Sequence, residues 1–342
     1  MSENSKTIEI AAAPRSIGLD LLRTMAACCV VAVHFSLNSN FYYTPITNWN
    51  MCLQEFFRCF FMTCVPIFMM LTGFLNAKKT VSSEYYKGIL KIIWAYVFYT
   101  VLAILFRIFY LHENFSIGAW LEKIVRFNAN EYGWYVEMYL GLFLLIPFLN
   151  ILYQNIATQK EKQILIVTLA AMTMNTSVLL GFSILSAFWT ALYPLTYYFI
   201  GSYIKEYAPQ IDKKVAFGSV IGLLLLATFM AFFLEKSLVY FYFNSPMVML
   251  SATILFVALY KVDFQNSILR LVCTKISLLS LDIYLCSYIF DKIYYTYFKQ
   301  NFFVSQEQFY VYFPCIFGLV FCSAFVVAWL RNFVISILNK AK

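Results

Sequence analysis

The chain consists of apolar blocks of about twenty residues separated by short polar segments. A helix rises about 1.5 Å per residue, so a block of this length spans the roughly 30 Å hydrocarbon core of a bilayer. Because lipid offers the backbone no hydrogen-bond partners, such blocks must be helical. Only 12% of the 342 residues are charged and 62% are hydrophobic, with a mean hydropathy of +0.73. The sequence therefore predicts an all-α, polytopic membrane helix bundle and excludes a soluble fold.

The apolar blocks predict about ten transmembrane helices. We place them at 17–37, 52–75, 89–111, 134–154, 163–181, 184–203, 215–234, 245–261, 276–296 and 309–336. The fifth and sixth blocks are nearly continuous, and we divide them at Gly181–Phe182–Ser183.

The basic residues predict the orientation of these helices. With the N-terminus in the cytoplasm and the sides alternating, 17 of the 25 basic residues fall in inner segments and five in outer ones. This bias obeys the positive-inside rule and places both termini in the cytoplasm. The predicted organisation is a cytoplasmic segment 1–16, a transmembrane domain 17–336 and a cytoplasmic tail 337–342.

Ionisable residues inside the first helix are the strongest functional signal, because such residues are costly in a bilayer. Arg23 and His34 are eleven residues apart, so their side chains share one helix face about 16 Å apart along the axis. Asp20 is close enough to pair with Arg23. The alternatives are an Arg23 that reaches the interface and a His34 that only bonds a neighbouring helix.

Glu137, in the first turn of the fourth helix, is a further intramembrane carboxylate at a depth comparable with His34. A carboxylate beside a histidine orients the ring and raises its basicity. Alternatively, Glu137 pairs with Arg58 or Arg107. The neighbouring Trp134 and Tyr135 can stack on a sugar ring or anchor the helix at the interface.

Lysines at the loop between the second and third helices form an inner basic cluster. Lys87 and Lys91 are its candidates for binding the phosphates of a nucleotide cofactor, Lys91 the better of the two, although the positive-inside rule also explains both. Asp282 is a buried acid whose partner the sequence does not identify. No Cys or His spacing matches a metal site, so no metal is predicted.

Five segments, in register along nearly the whole chain, resemble the membrane acyltransferase 3 family. In that family a basic residue precedes a histidine by eleven positions on a first helix that begins Leu-Asp-x-Leu-Arg. The segments that carry the resemblance are 19–34, 66–75, 134–147, 197–203 and 280–285.

The resemblance implies transfer of an acyl group, most often acetyl, from cytoplasmic acyl-CoA to a hydroxyl of a surface glycan or its lipid-linked precursor. The protein is then a multi-pass enzyme of the cell membrane with no nucleic-acid partner. His34 is the general base, and Glu137 orients it or helps to bind the sugar. The remaining candidates are Arg23, Lys87 and Lys91 for acyl-CoA and Trp134 and Tyr135 for the acceptor.

Two departures from the family pattern affect these assignments. Lys87 and Lys91 stand where the family has arginines, and lysine lacks the bidentate phosphate geometry. Ser287 stands where the family has a late histidine, so this position is not expected to be catalytic. The rival interpretations are a glycan or lipid flippase, which buried charges also suit, and a non-enzymatic scaffold.

Overall fold

The computed structural model describes residues 15–175, 185–235 and 243–340. All regular structure in these residues is helical, which confirms the all-α prediction. The α-helices in these residues are α1 (Ile17–Asn38), α2 (Trp49–Phe61), α3 (Cys64–Asn76), α4 (Ser83–Lys87), α5 (Ile89–Phe109), α6 (Ile117–Val125), α7 (Trp134–Gln154), α8 (Gln159–Thr173), α9 (Ala187–Thr190), α10 (Tyr193–Tyr207), α11 (Lys213–Phe233), α12 (Pro246–Leu259), α13 (Ser267–Phe302), α14 (Gln306–Phe309) and α15 (Phe313–Lys340). Short 3₁₀ turns lie at Phe41–Tyr43, Glu131–Gly133 and Tyr310–Tyr312.

Six helical segments among the described residues are long and apolar enough to cross a membrane. They are Ile17–Asn38, Trp49–Asn76, Ser83–Phe109, Glu131–Gln154, Lys213–Phe233 and Gln306–Lys340. The apolar helix α12 is shorter, and the 36-residue α13 is more polar. The count of about ten spans and the cytoplasmic position of both termini stay predictions.

The predicted second helix is divided into α2 and α3 by its own side chains. Pro66 lies in the first turn of α3, where its missing N–H cannot bond the carbonyl of Met62. The Thr63 hydroxyl instead donates to the Phe60 carbonyl oxygen at 2.7 Å. A bend at 62–63 results.

The predicted fifth and sixth helices correspond to α8 and α10, which pack against each other. A capping box at Thr158 and Glu161 begins α8. The division that we placed at Gly181–Phe182–Ser183 lies outside the described residues.

Helix α1 occupies the centre of the bundle. It contacts α2, α3, α12, α13 and α15, and 67% of its most apolar stretch is buried, against 28% for α5. The polar side chains on α1 therefore face protein on most sides.

Helices α3 and α10 cross closely enough to require glycine in both. A Cβ on Gly73 would lie 2.0 Å from the carbonyl oxygen of Tyr198, and one on Gly201 would lie 2.0 Å from that of Met70. Small residues at helix crossings let backbones approach within a membrane. This crossing fixes α3 beside α1 and so positions one wall of the site described below.

Candidate functional site

His34 is buried at the core of the bundle, with only 4% of its surface exposed. Its Nδ1 lies 3.0 Å from Oδ2 of Asp291, which α13 contributes from 257 positions further along the chain. Asp291 is itself fully buried. A carboxylate that accepts a hydrogen bond from Nδ1–H leaves the lone pair on Nε2. The pair can therefore act as an oriented general base.

Tyr132 and Asn38 complete what we call the histidine cluster, with His34 and Asp291. The Tyr132 hydroxyl donates to Asp291 Oδ2 at 2.6 Å, and its ring stacks on the imidazole with centroids 3.9 Å apart. Asn38 lies one turn beyond His34, and its Nδ2 donates to the His34 carbonyl at 2.9 Å and to the Tyr132 hydroxyl at 3.3 Å. The hydrogen bond to Asp291 and the stacked ring of Tyr132 together hold the imidazole plane in place.

One oxygen of the Asp291 carboxylate is still available. Its Oδ1 is buried and has no hydrogen-bond partner among the described residues. Leaving a buried carboxylate oxygen without a donor is costly. This atom can therefore accept a hydrogen bond from a water or a substrate hydroxyl that enters the cluster.

Arg23 lies on the same helix without a carboxylate partner among the described residues. Asp20, which the spacing offered to Arg23, instead pairs with Arg15 through two bonds of 2.5 and 2.7 Å. Asp20 also accepts from the Ser277 hydroxyl at 2.7 Å. Among the described residues, Arg23 makes one hydrogen bond, a long one of 3.5 Å to that hydroxyl. The predicted Asp20–Arg23 pair is therefore wrong, and the guanidinium of Arg23 is available to an anionic ligand.

The guanidinium of Arg23 faces a cavity of about 220 Å³ between α1, α3, α5, α7 and α13. The polar residues on the wall of this cavity are Arg23, Thr72, Asn76, Tyr135, Tyr139, Ser280 and Tyr284. The apolar residues on it are Val30, Val65, Phe68, Leu71, Leu75, Ile92, Val136 and Leu281. Leu75 is 47% exposed, whereas Val30, Val65 and Val136 are buried. The cavity therefore opens beside Leu75 and has a closed, mainly apolar inner end.

The cavity stops one helical turn short of the histidine cluster. Val30 is the last α1 residue on its wall, and His34 follows it on the same face without reaching the cavity. The ring of Tyr284 lines the inner end, 6.1 Å from the imidazole centroid. Arg23, the cavity and His34 thus follow one another along the same face of α1.

Glu137 is not in the histidine cluster. Its side chain is exposed on α7 and makes no ion pair or hydrogen bond with the described residues. The ring of His34 is oriented by Asp291 instead. The alternative partners are also engaged elsewhere, since Arg107 pairs with Glu113 at 2.7 Å and Arg58 lies near Glu55. The rotation of α7 about its axis explains why Glu137 is not beside His34. It turns Val136 toward the core and Glu137 away from it.

The remaining predicted site residues lie around the cavity or on the surface. Lys87 and Lys91 are exposed, and Lys91 directly precedes the cavity residue Ile92. Tyr135 lines the cavity, and Trp134 is 37% exposed and stacks on Phe243 with centroids 5.5 Å apart. The rings of these two residues still touch edge-on, with centroids 6.0 Å apart, but only Tyr135 lines the cavity.

Asp282 has a partner that the sequence did not identify. Arg331 of α15 donates to its Oδ1 at 2.5 Å. Both side chains are nearly buried, so the pair joins α13 to α15. Asp282 is thereby accounted for outside the histidine cluster.

Sequence reasoning missed Asp291, although a signal for it exists. Asp291 lies within the predicted ninth helix, and seven residues separate it from Tyr284. That spacing is nearly two helical turns, so both side chains lie on one face. An intramembrane carboxylate in phase with a core tyrosine is a recognisable pattern, but nothing local shows that this face meets His34.

The buried histidine–carboxylate pair and the arginine-lined cavity thus lie inside a bundle whose helices are apolar and long enough to cross a membrane. The acyltransferase-domain model of the acyltransferase 3 family matches residues 16–330, and the chain belongs to that family. It is therefore an acyltransferase and a multi-pass membrane protein. No curated protein and no solved structure matches the chain.

Proposed function

We propose that the protein transfers an acyl group, most often acetyl, from cytoplasmic acyl-CoA to a hydroxyl of a cell-surface polysaccharide or its lipid-linked precursor, in the plasma membrane. The observation that carries this proposal is the alignment of Arg23, the cavity and the His34–Asp291 pair along one face of α1. A charged donor enters at one end and the reacting group is delivered toward a base at the other.

The donor side is the mouth of the cavity near Arg23. A guanidinium that makes no ion pair with a carboxylate among the described residues suits the phosphates of CoA, since arginine binds phosphate oxygens with paired hydrogen bonds. The exposed Lys87 and Lys91 add positive charge on the α5 side. The mainly apolar inner wall accommodates the pantetheine arm, whose length is comparable with the axial distance of about 16 Å from Arg23 to His34.

The acceptor approaches from the opposite side of His34. There, the partly exposed Asn38 contacts the histidine cluster, and Glu131 and Lys292 form an ion pair of 2.9 Å at the surface. The side chains of Glu131 and Lys292 are 51% and 30% exposed. Glu131 immediately precedes Tyr132 in the chain, and Lys292 immediately follows Asp291. Hydroxyl-rich sugars suit this mixture of amide, carboxylate and ammonium groups. Trp134 and Glu137 keep their proposed contribution to acceptor binding, whereas Tyr135 lines the donor cavity on the other side of His34.

In the proposed reaction, His34 Nε2 takes the proton from the acceptor hydroxyl as its oxygen attacks the thioester carbonyl carbon. A C–O bond forms and the C–S bond breaks. The imidazolium, stabilised by Asp291, then returns the proton to the leaving sulfur. The ester and free CoA are the products, and no other reactant is needed.

The test is a transfer assay on membranes that contain the protein. Membranes supplied with acetyl-CoA labelled in the acetyl group should incorporate label into alkali-labile esters of their glycan, because O-acetyl esters are cleaved by mild base. Membranes from cells without the protein serve as the control. Label that stays entirely in acetyl-CoA and free acetate would contradict the proposal and favour a flippase.

Replacement of Arg23 tests the donor side separately. Arg23→Gln should raise the KM for acetyl-CoA about tenfold or more, because a hydrogen bond to a charged group contributes about 1.5–3 kcal/mol. The KM for the acceptor should stay unchanged. Arg126→Gln is the matched control, since Arg126 pairs with Glu122 on the surface and does not line the cavity. An unchanged KM for acetyl-CoA would remove Arg23 from the donor site.

A further inference from the structure

Tyr284 lies between the donor cavity and the histidine cluster. Its side chain lines the inner end of the cavity, and only 5% of the residue is exposed. On its other side, its ring stacks on Tyr132 with centroids 5.7 Å apart and lies 6.1 Å from the His34 ring. Tyr284 therefore lines the cavity on one side and contacts the histidine cluster on the other.

The Tyr284 ring is held in this position by a hydrogen bond and by a second ring. Its hydroxyl donates to the backbone carbonyl oxygen of Tyr132 at 2.7 Å. Tyr135 packs edge-on against it, with centroids 5.7 Å apart. Since Tyr132 also bonds Asp291 and stacks on His34, the position of Tyr284 is coupled to the cluster itself.

The position of the ring has a consequence for the thioester. The α1 wall of the cavity ends at Val30, about 6 Å along the axis before His34. A donor that fills the cavity would therefore bring its acyl group against Tyr284 and not against the imidazole. The ring must turn aside before His34 can serve the thioester.

We propose that Tyr284 is a partition that separates the bound acyl donor from His34 and so favours transfer over hydrolysis. This inference rests on the proposed function. The carbonyl that holds the ring belongs to Tyr132, which adjoins the exposed Glu131 on the acceptor side. An acceptor bound at Glu131 can therefore release the ring by shifting the backbone carbonyl of Tyr132, with the Tyr132 side chain still in the histidine cluster.

The reaction that the partition suppresses is hydrolysis of the donor. Water in place of the acceptor loses a proton to His34 as its oxygen attacks the carbonyl carbon. The C–S bond breaks, the proton passes to sulfur, and acetic acid and CoA leave. A base that is exposed to donor and water together would consume acetyl-CoA without modifying any glycan.

The first test measures how labelled acetyl groups are divided between free acetate and glycan ester. Tyr284→Ala should raise the ratio of acetate to ester at least about tenfold, because a positioned base accelerates such attack by about 10²–10⁴. Tyr284→Phe, which keeps the ring and loses the hydrogen bond, should give a smaller rise in the same direction. Tyr294→Ala is the matched control on the same helix, since Tyr294 bonds Ser323 and does not line the cavity. An unchanged ratio in both Tyr284 variants would overturn the proposal.

The second test needs no donor. Diethyl pyrocarbonate modifies accessible imidazoles, and the chain has two histidines, the buried His34 and the exposed His112. In detergent-purified protein, the rate of His34 modification relative to His112 should increase about fivefold in Tyr284→Phe, because the lost hydrogen bond contributes about 1 kcal/mol, which is that factor at 25 °C. Equal relative rates in the wild type and in both Tyr284 variants would show that the ring shields nothing.

The outcomes distinguish this inference from the proposed function. If His34→Ala abolishes ester formation while the Tyr284 variants leave the ratio and the modification rate unchanged, only the partition is wrong. If His34→Ala retains ester formation, His34 is not the base, whereas absence of ester formation by the wild-type protein would overturn the proposed function itself. In the double variant Tyr284→Ala, His34→Ala, the added acetate release should disappear, and its persistence would contradict the assigned route.

Discussion

Replacing His34 by Ala should reduce glycan acylation at least about 100-fold, because a positioned general base supplies about 10²–10⁴-fold. The imidazole is buried, its Nδ1 is held by Asp291, and its Nε2 is the atom left to accept a proton. The loss should appear in kcat, since His34 does not line the donor cavity. The measurement is the incorporation of label from acetyl-CoA into glycan esters at saturating donor.

His112→Ala is the control for His34→Ala. His112 is exposed in the segment that follows α5 and does not line the cavity, and its replacement should leave acylation unchanged. Equal amounts of both variants in the membrane fraction would show that insertion is intact. Wild-type acylation by His34→Ala would exclude the imidazole as the base.

Replacing Asp291 by Asn should have the second largest effect. Asn retains the size of the side chain but removes the charge that stabilises the imidazolium, and its amide group can hold the ring in the wrong tautomer. We expect kcat to fall about 100-fold or more with little change in the KM for acetyl-CoA. Asp291→Glu, which keeps the carboxylate, should recover part of this loss.

Two readouts separate a positioning role from general damage to the bundle. Asp263→Asn removes an exposed carboxylate that pairs with Arg270, and its kinetics should match the wild type. The Asn and Glu variants of Asp291 should also bind acetyl-CoA as the wild type does. A parallel loss of binding and turnover in both variants would indicate that Asp291 only supports the fold.

Several elements of the fold are local properties that the sequence determines. The length of the apolar blocks requires helices, and α1, α7 and α11 begin or end within about two residues of their predicted bounds. The kink between α2 and α3 was missed, although Pro66 is a clear signal for it. Helical periodicity also placed Arg23 and His34 on one face of α1, where the structure shows both turned toward α13.

The partners of these residues were not predictable in the same way. Asp20 was paired with Arg23 by spacing, yet the structure pairs it with Arg15, because Arg15 and Ser277 converge on its carboxylate. Glu137 was placed beside His34 by depth alone, and depth does not determine which way a side chain points around its helix. Asp291 was overlooked, because its contact with His34 joins α1 to α13, and α13 begins more than two hundred residues later in the chain.

The sequence by itself determined that this protein is an all-helical membrane acyltransferase with a basic residue and a histidine aligned on its first helix. Only the tertiary structure decided that Asp291 hydrogen-bonds His34, that Arg23 lines a cavity, and that Tyr284 stands between this cavity and His34. The physical reason is that helix periodicity and hydropathy act over a few turns of one segment. The choice of which faces meet depends on packing between distant segments, such as the close crossing at Gly73 and Gly201.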